Sequence, residues 1–170
     1  MSGIQFMATS QRSTKATAGR YRDAVTLLKA DHQQVKQWFA QFRKAGEQAR
    51  QGMLARNICD ALRLHTSIEE EIFYPAFLEA TKNEDIHHEA EVEHQSAERL
   101  IVEIEQSTPA DDFFRAKVNV LGEMIKHHIR EEEKPGGMFA KARKAKMDLR
   151  TLGQQLAERK SELESEQQAA

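Results

Sequence analysis

Chemistry in this chain starts from His65-Thr-Ser-Ile-Glu69-Glu-Glu-Ile-Phe-Tyr-Pro75. A histidine and a carboxylate four residues apart on a helix share one face, with about 5–6 Å between their Cβ atoms. Ile58 and Leu62 before the pair, and Ile72 after it, carry the same face in apolar residues. His65 and Glu69 therefore point inward, where an unpaired charge is costly and a metal ion is the economical partner. Further candidates repeat this arrangement. A lone inward His32 precedes the His65–Glu69 pair, and a lone His94 precedes a second pair, His128–Glu132, at nearly the same interval.

The second pair has a competitor, because His127–Glu131 has the same spacing. Helix phase separates them. At about 100° per residue, the apolar positions from Phe113 to Ile129 point between His128 and Glu132, and well to the side of His127 and Glu131. A single His/Glu match is weak evidence, since i, i+4 pairs of this kind are often solvated surface pairs. The inference rests on joint phase: His32, His65, Glu69, His94, His128 and Glu132 fall on four inward faces in a repeated order. Four imidazoles and two carboxylates suit Fe, Mn or Zn, whereas Ca and Mg prefer oxygen shells. Two divalent ions outweigh two glutamates in charge, so a bridging oxo or hydroxo group, or bridging carboxylates, would complete the centre. Glu70, Glu71 and Glu133 read as solvated or as outer neighbours of the ligands, and His87 and His88 as surface residues. Glu91, within Glu91-Val-Glu-His94, is a possible extra ligand. The ferritin-like alternative needs two Glu-x-x-His motifs and a lone Glu on each remaining helix. This chain has only the one at Glu91–His94.

Four helices must bring these residues together. The first starts at an Asp23 N-cap and carries Val25, Leu28, His32, Val35, Phe39 and Phe42 at helical spacing. Gly46 and Gly52 bracket a loop, and a second helix runs from about Met53 until Pro75 kinks or ends it. Thr81–Asp85 is a polar connection. A third helix carries Ile86, Ala90, His94, Ala97, Ile101 and Ile104, and Asp111 or Asp112 caps a fourth with Val118, Leu121, Ile125, His128 and Glu132. Lys134-Pro-Gly-Gly137 stops that helix. The fold class is all-α, an up-down-up-down four-helix bundle over 23–140. A charged C-terminal segment, 141–170, holds most of a fifth helix at about 138–165. The fifth helix has its basic residues first and its acidic ones last, against its own dipole. It would gain from docking, with a homodimer through this helix as one route; a frayed tail is the alternative.

Composition narrows the class. The 170 residues include 31% charged and 6% aromatic, with a formal net charge of −2, which gives no electrostatic reason to expect nucleic acid or an anionic membrane. No apolar run reaches the ~18 residues of a membrane span. The single cysteine, Cys59, reads as a small core residue in a reducing compartment, and the cytoplasm is the default. Residues 1–22, basic and rich in Ser and Thr, read as a disordered tail. The apolar bundle walls leave room for a diatomic molecule and give no sign of an organic-substrate pocket.

The order H…HxxxE…H…HxxxE resembles the hemerythrin-like HHE cation-binding family. Glu-Glu-Glu-Ile-Phe-Tyr-Pro after the first pair, His-His-Ile-Arg-Glu-Glu-Glu at the second and the basic segment from Met138 add to the likeness. The resemblance covers about residues 23–140. It implies two non-haem iron ions, oxo- or hydroxo-bridged, held by His32, His65, Glu69, His94, His128 and Glu132, with Mn or Zn as substitutes. It implies O2, NO or peroxide as the small ligand, to be bound, sensed or consumed. This chain departs from the family's oxygen carriers by having Ala90 where they have a further histidine, and Glu132 where they have an aspartate. Fewer histidines and more glutamate favour the ferric state over reversible oxygen transport.

Overall fold

The computed structural model describes residues 23–169, and the basic segment 1–22 lies outside them. Helix α1 (Ala24–Lys44) opens on Asp23, whose carboxylate accepts from the Thr26 N–H at 2.8 Å. Helix α2 (Gln48–Ile68) starts earlier than the glycines suggest. Gly52 lies inside it because a Cβ there would meet Pro109 Cγ at 3.1 Å, so the small residue serves packing rather than a turn.

At Glu69–Phe73 the helix widens into one π turn, in which the Tyr74 N–H reaches the Glu69 carbonyl five residues back. It then continues as α3 (Tyr74–Thr81). Pro75 does not end the helix; the wide turn takes up its missing N–H. The turn also shifts the buried face by a residue. Phe73 and Tyr74 are buried, while Ile72, expected on the inner face, is only half-buried.

Helix α4 (Glu84–Glu105) is capped by Asn83, and α5 (Phe114–Glu133) returns beside it. Neither Asp111 nor Asp112 caps α5. The Asp111 carboxylate instead closes the preceding turn by accepting from the Thr108 N–H. The four long helices form an up-down-up-down bundle in which α1 packs on α2 and α5, and α4 on α2 and α5.

The expected fifth helix is two helices, α6 (Met138–Lys144) and α7 (Leu149–Ala169). Lys146 takes a left-handed φ of 57° between them. Asp148 then starts α7 by accepting from the Thr151 N–H at 3.1 Å. Helix α7 docks on α1 and α2 of its own chain, burying Leu149, Leu156 and Ala157. Gly153 makes the approach possible: a Cβ there would stand 2.8 Å from the Ala24 nitrogen.

Apolar packing divides into two clusters. One holds Val35, Phe39, Phe42, Ile58, Leu62, Ile101, Leu121 and Ile125. The other holds Leu28, Ile68, Phe73, Tyr74, Phe77, Met138, Phe139 and Leu156. Between them runs a belt of buried histidine and glutamate.

Candidate metal centre

All six inward candidates lie in that belt. His32, His65, Glu69, His94, His128 and Glu132 are each at most 6% exposed. The competing His127 has its side chain 49% exposed, and Glu131 pairs with Lys134 at the surface. His128 and Glu132 therefore face the bundle interior, and His127 and Glu131 face outward. Glu91 is not in the cluster: its side chain is 45% exposed and faces His87.

The histidines meet as two pairs. His32 Nε2 lies 3.1 Å from His65 Nε2, and His94 Nε2 lies 3.3 Å from His128 Nε2. Both carboxylates reach both pairs. Glu69 has Oε1 at 3.3 Å from His65 Nε2 and Oε2 at 3.5 Å from His94 Nε2. Glu132 Oε2 is 3.3 Å from His32 Nε2 and 3.6 Å from His128 Nε2. Potential ligand atoms thus converge in two groups sharing Glu69: His32, His65, Glu69 and Glu132, and Glu69, His94 and His128.

Each histidine also has a carboxylate behind it. The Nδ1 atoms of His32, His94 and His128 lie 2.8, 3.0 and 2.7 Å from Glu133, Glu70 and Glu93, and His65 Nδ1 lies 3.5 Å from Asp31. At His32, His94 and His128 the carboxylate on Nδ1 fixes that nitrogen as the donor, turns the Nε2 lone pair inward and makes it a better ligand. The contact of His65 with Asp31 is an ion-pair approach without a hydrogen bond. Glu70 and Glu133 were visible in the sequence as neighbours of the ligands. Asp31 and Glu93 were not, because their role depends on packing between helices.

Tyr74 is the other residue that sequence reasoning missed. Its hydroxyl sits 3.2 Å from Glu69 Oε2, Glu132 Oε1 and His94 Nε2, so one proton faces three acceptors. Burial, and then the charges of Glu132 and Glu69, push its pKa well above the ordinary phenol value. The phenol therefore stays protonated in the metal-free chain. His87, expected at the surface, packs edge-on against this ring at 6.0 Å, and Phe139 stacks on His32 at 5.8 Å.

Electrostatics shows what the belt does without a metal. Burial would lower the pKa of His65, but the charge of Glu69 and the contacts to Asp31 outweigh it and push the imidazole up to about 10. Burial likewise opposes ionisation of His128, and Glu132, Glu93 and Glu69 overcome it, giving about 9. Glu69, though fully buried, is held below its ordinary range by His65, His94 and His128. His65 and His128, one in each close pair, therefore each carry an extra proton in the metal-free chain. Two imidazolium protons balance two inward carboxylates.

This arrangement fits a pair of metal ions. Glu69 Oε1 and Glu132 Oε2 are buried without any hydrogen-bond partner, and both face the imidazole Nε2 atoms. Buried oxygens are seldom left so, and cations placed among the Nε2 atoms would satisfy both. Fold and donor set define a metal-binding helical bundle. The comparisons give its family: the model of the hemerythrin HHE cation binding domain matches residues 23–142, and the chain belongs to that family. Domains of this family bind metal cations. In fold the chain is similar to the crystal structure of a hemerythrin HHE cation binding domain-containing protein from Mycobacterium kansasii, with a TM-score of 0.71 and 23% identity over 85% of this chain and 88% of that one. No curated protein matches the chain.

A cavity of about 350 Å³ opens beside the cluster between α1 and α2 and reaches His32, His65, His94 and His128. Spacing along single helices carries no sign of it. Among the described residues no helix is long and apolar enough to cross a membrane.

Proposed function

We propose that His32, His65, Glu69, His94, His128 and Glu132 hold two iron ions and that the centre binds or senses O2, NO or cellular iron. The observation that carries this reading is the reach of Glu69 and Glu132 to both histidine pairs, each with a buried oxygen lacking a partner. Iron bound there would supply one-electron chemistry and a place for a small ligand. The chain's own residues do the rest. Asp31, Glu70, Glu93 and Glu133 orient the imidazoles, Phe139 and Phe73 exclude water on one side, and Tyr74 holds a proton beside both carboxylates. Mixed imidazole and carboxylate donors suit Mn and Zn as well; the iron assignment comes from the family resemblance. A lone buried cysteine, its thiol pushed up to about 12 chiefly by burial, agrees with a reducing, cytoplasmic setting.

A second reading is an enzyme that consumes peroxide or NO at the same iron pair. Tyr74 favours it, because a phenol proton within 3.2 Å of the inward donors is placed to protonate a departing oxygen. The test is anaerobic loading with Fe(II), counting iron per chain and following the visible spectrum as air is admitted and withdrawn. Two irons with a reversible band support binding or sensing. Two irons with one-way oxidation and turnover of added peroxide support the enzyme. A chain that takes up no iron overturns both.

A further inference from the structure

The cavity beside the histidines is far larger than a diatomic ligand needs. At about 350 Å³ it is roughly ten times the ~30 Å³ share of a water molecule, and it enters the range of small-molecule sites, ~300–1,000 Å³. Its walls are apolar: Val35, Trp38, Ala61, Leu62, Ile125 and Ile129. Its inner end is the imidazole cluster, and its outer rim carries Asp60 and Glu164, both exposed, with Lys160. That lysine is no free cation, since Nζ sits 2.5 Å from Asp31 Oδ1. At this rim an anionic headgroup would meet two carboxylates, and the lysine there is already paired with Asp31.

We propose that this cavity binds a compact, uncharged, largely apolar organic molecule, such as a single aromatic ring, held against Trp38 with one edge facing the histidine cluster. The proposal deepens the reading of the metal centre by naming the class of compound that sits beside it. Occupancy itself depends on the cavity walls and not on iron. The α7 helix, which lies beyond the matched domain, closes part of the rim through Lys160 and Glu164, so the site needs the appended helix as well as the bundle.

Trp38 is the single tryptophan of the chain, so its emission reports directly on the site. The experiment titrates the full chain, as isolated and after metal removal, with toluene and separately with benzoate, exciting Trp38 alone and measuring metal content in parallel. Toluene should change the emission saturably, with half-saturation at about millimolar or below, whatever the metal content. Benzoate at the same concentrations should leave it unchanged. The Ala61→Phe variant, which fills the wall, should raise the toluene half-saturation at least tenfold while retaining the wild-type metal content. Nuclear Overhauser contacts from toluene to the methyls of Val35 and Ile129 give a second reading that does not depend on the folding of the variant. Toluene that never saturates, or that saturates without contacts to those methyls, overturns the site. Benzoate binding as tightly as toluene overturns the uncharged class. Saturable toluene binding in a chain that takes up no metal would leave the cavity assignment standing and remove the iron reading instead.

Discussion

Loading the belt with metal should expel protons, and the number can be worked out from the two histidine pairs. With His65 at about 10 and His128 at about 9, both imidazoles are protonated in the metal-free chain at pH 7. A metal needs their Nε2 lone pairs, so both protons must leave. At 1.36 kcal/mol per pKa unit this opposes binding by about 4 kcal/mol at His65 and about 3 kcal/mol at His128. The apparent affinity for a filled site should therefore rise about a hundredfold per pH unit near neutrality and level off above about pH 10. By pH 9.5 about half of this protonation is already gone, so loading should release about one proton fewer than at pH 7. A zinc-bound water ionises near pH 7, so it releases up to about half a proton more at pH 9.5 than at pH 7 and narrows this difference. Calorimetric titration with zinc in buffers of differing ionisation enthalpy measures the release at each pH. Equal release at pH 7 and 9.5 would refute the pairing of one imidazolium with each inward carboxylate. The same raised pKa values fix the sign for the chelated protein. Their contribution to stability is full below the unfolded-state value near 6.5 and is lost as pH rises through 9 to 10. Chelated protein should weaken over the range in which the loaded protein tightens.

Six substitutions test the parts. Glu69→Ala or His65→Ala should abolish stoichiometric metal, counted by elemental analysis, whereas Glu71→Ala should keep it. Glu71 pairs with Arg159 at the surface, and its loss should cost no more than about 1 kcal/mol in urea unfolding. Lys160→Met frees Asp31 from its ion pair and loosens the support of His65, so metal affinity should fall about 10–100-fold in chelator competition. Tyr74→Phe removes the hydroxyl that faces both Glu69 and Glu132 and should lower metal-free stability by about 1–3 kcal/mol in chemical denaturation. Gly153→Val drives a side chain into the backbone of Asp23 and Ala24, which has little room to move. A loss of about 1–3 kcal/mol and faster amide exchange along α7 are expected.

The inner faces were legible in the sequence because helical period is a local property. His32, His94 and the choice of His128 over His127 follow from counting about 100° per residue along unbroken helices. The same counting hides Tyr74. Five residues after Glu69, an unbroken helix would put it about 140° away, whereas the π turn rotates it onto the face of Glu69. Pro75 marked a disturbance without telling which way the helix would absorb it. The break between α6 and α7 does carry a local signal. Asp148-Leu-Arg-Thr151 repeats the Asp23-Ala-Val-Thr26 cap, and in both the carboxylate accepts from the threonine N–H. Asp31, Glu93 and the cavity had no such signal. Each depends on which helix faces which, and spacing within one helix says nothing of that.

The belt also divides the molecule mechanically. Four helices run through it, yet the oily packing on one side ends at Val35 and Leu62, and that on the other resumes at Leu28 and Ile68. Between these layers the cross-bracing is a handful of charges and protons. A metal pair would act there as a rivet, joining two half-cores that otherwise meet through exchangeable hydrogen bonds. Filling the site would then brace the middle of every long helix at once, and emptying it would leave that brace to side-chain hydrogen bonds and to the helices that run through it.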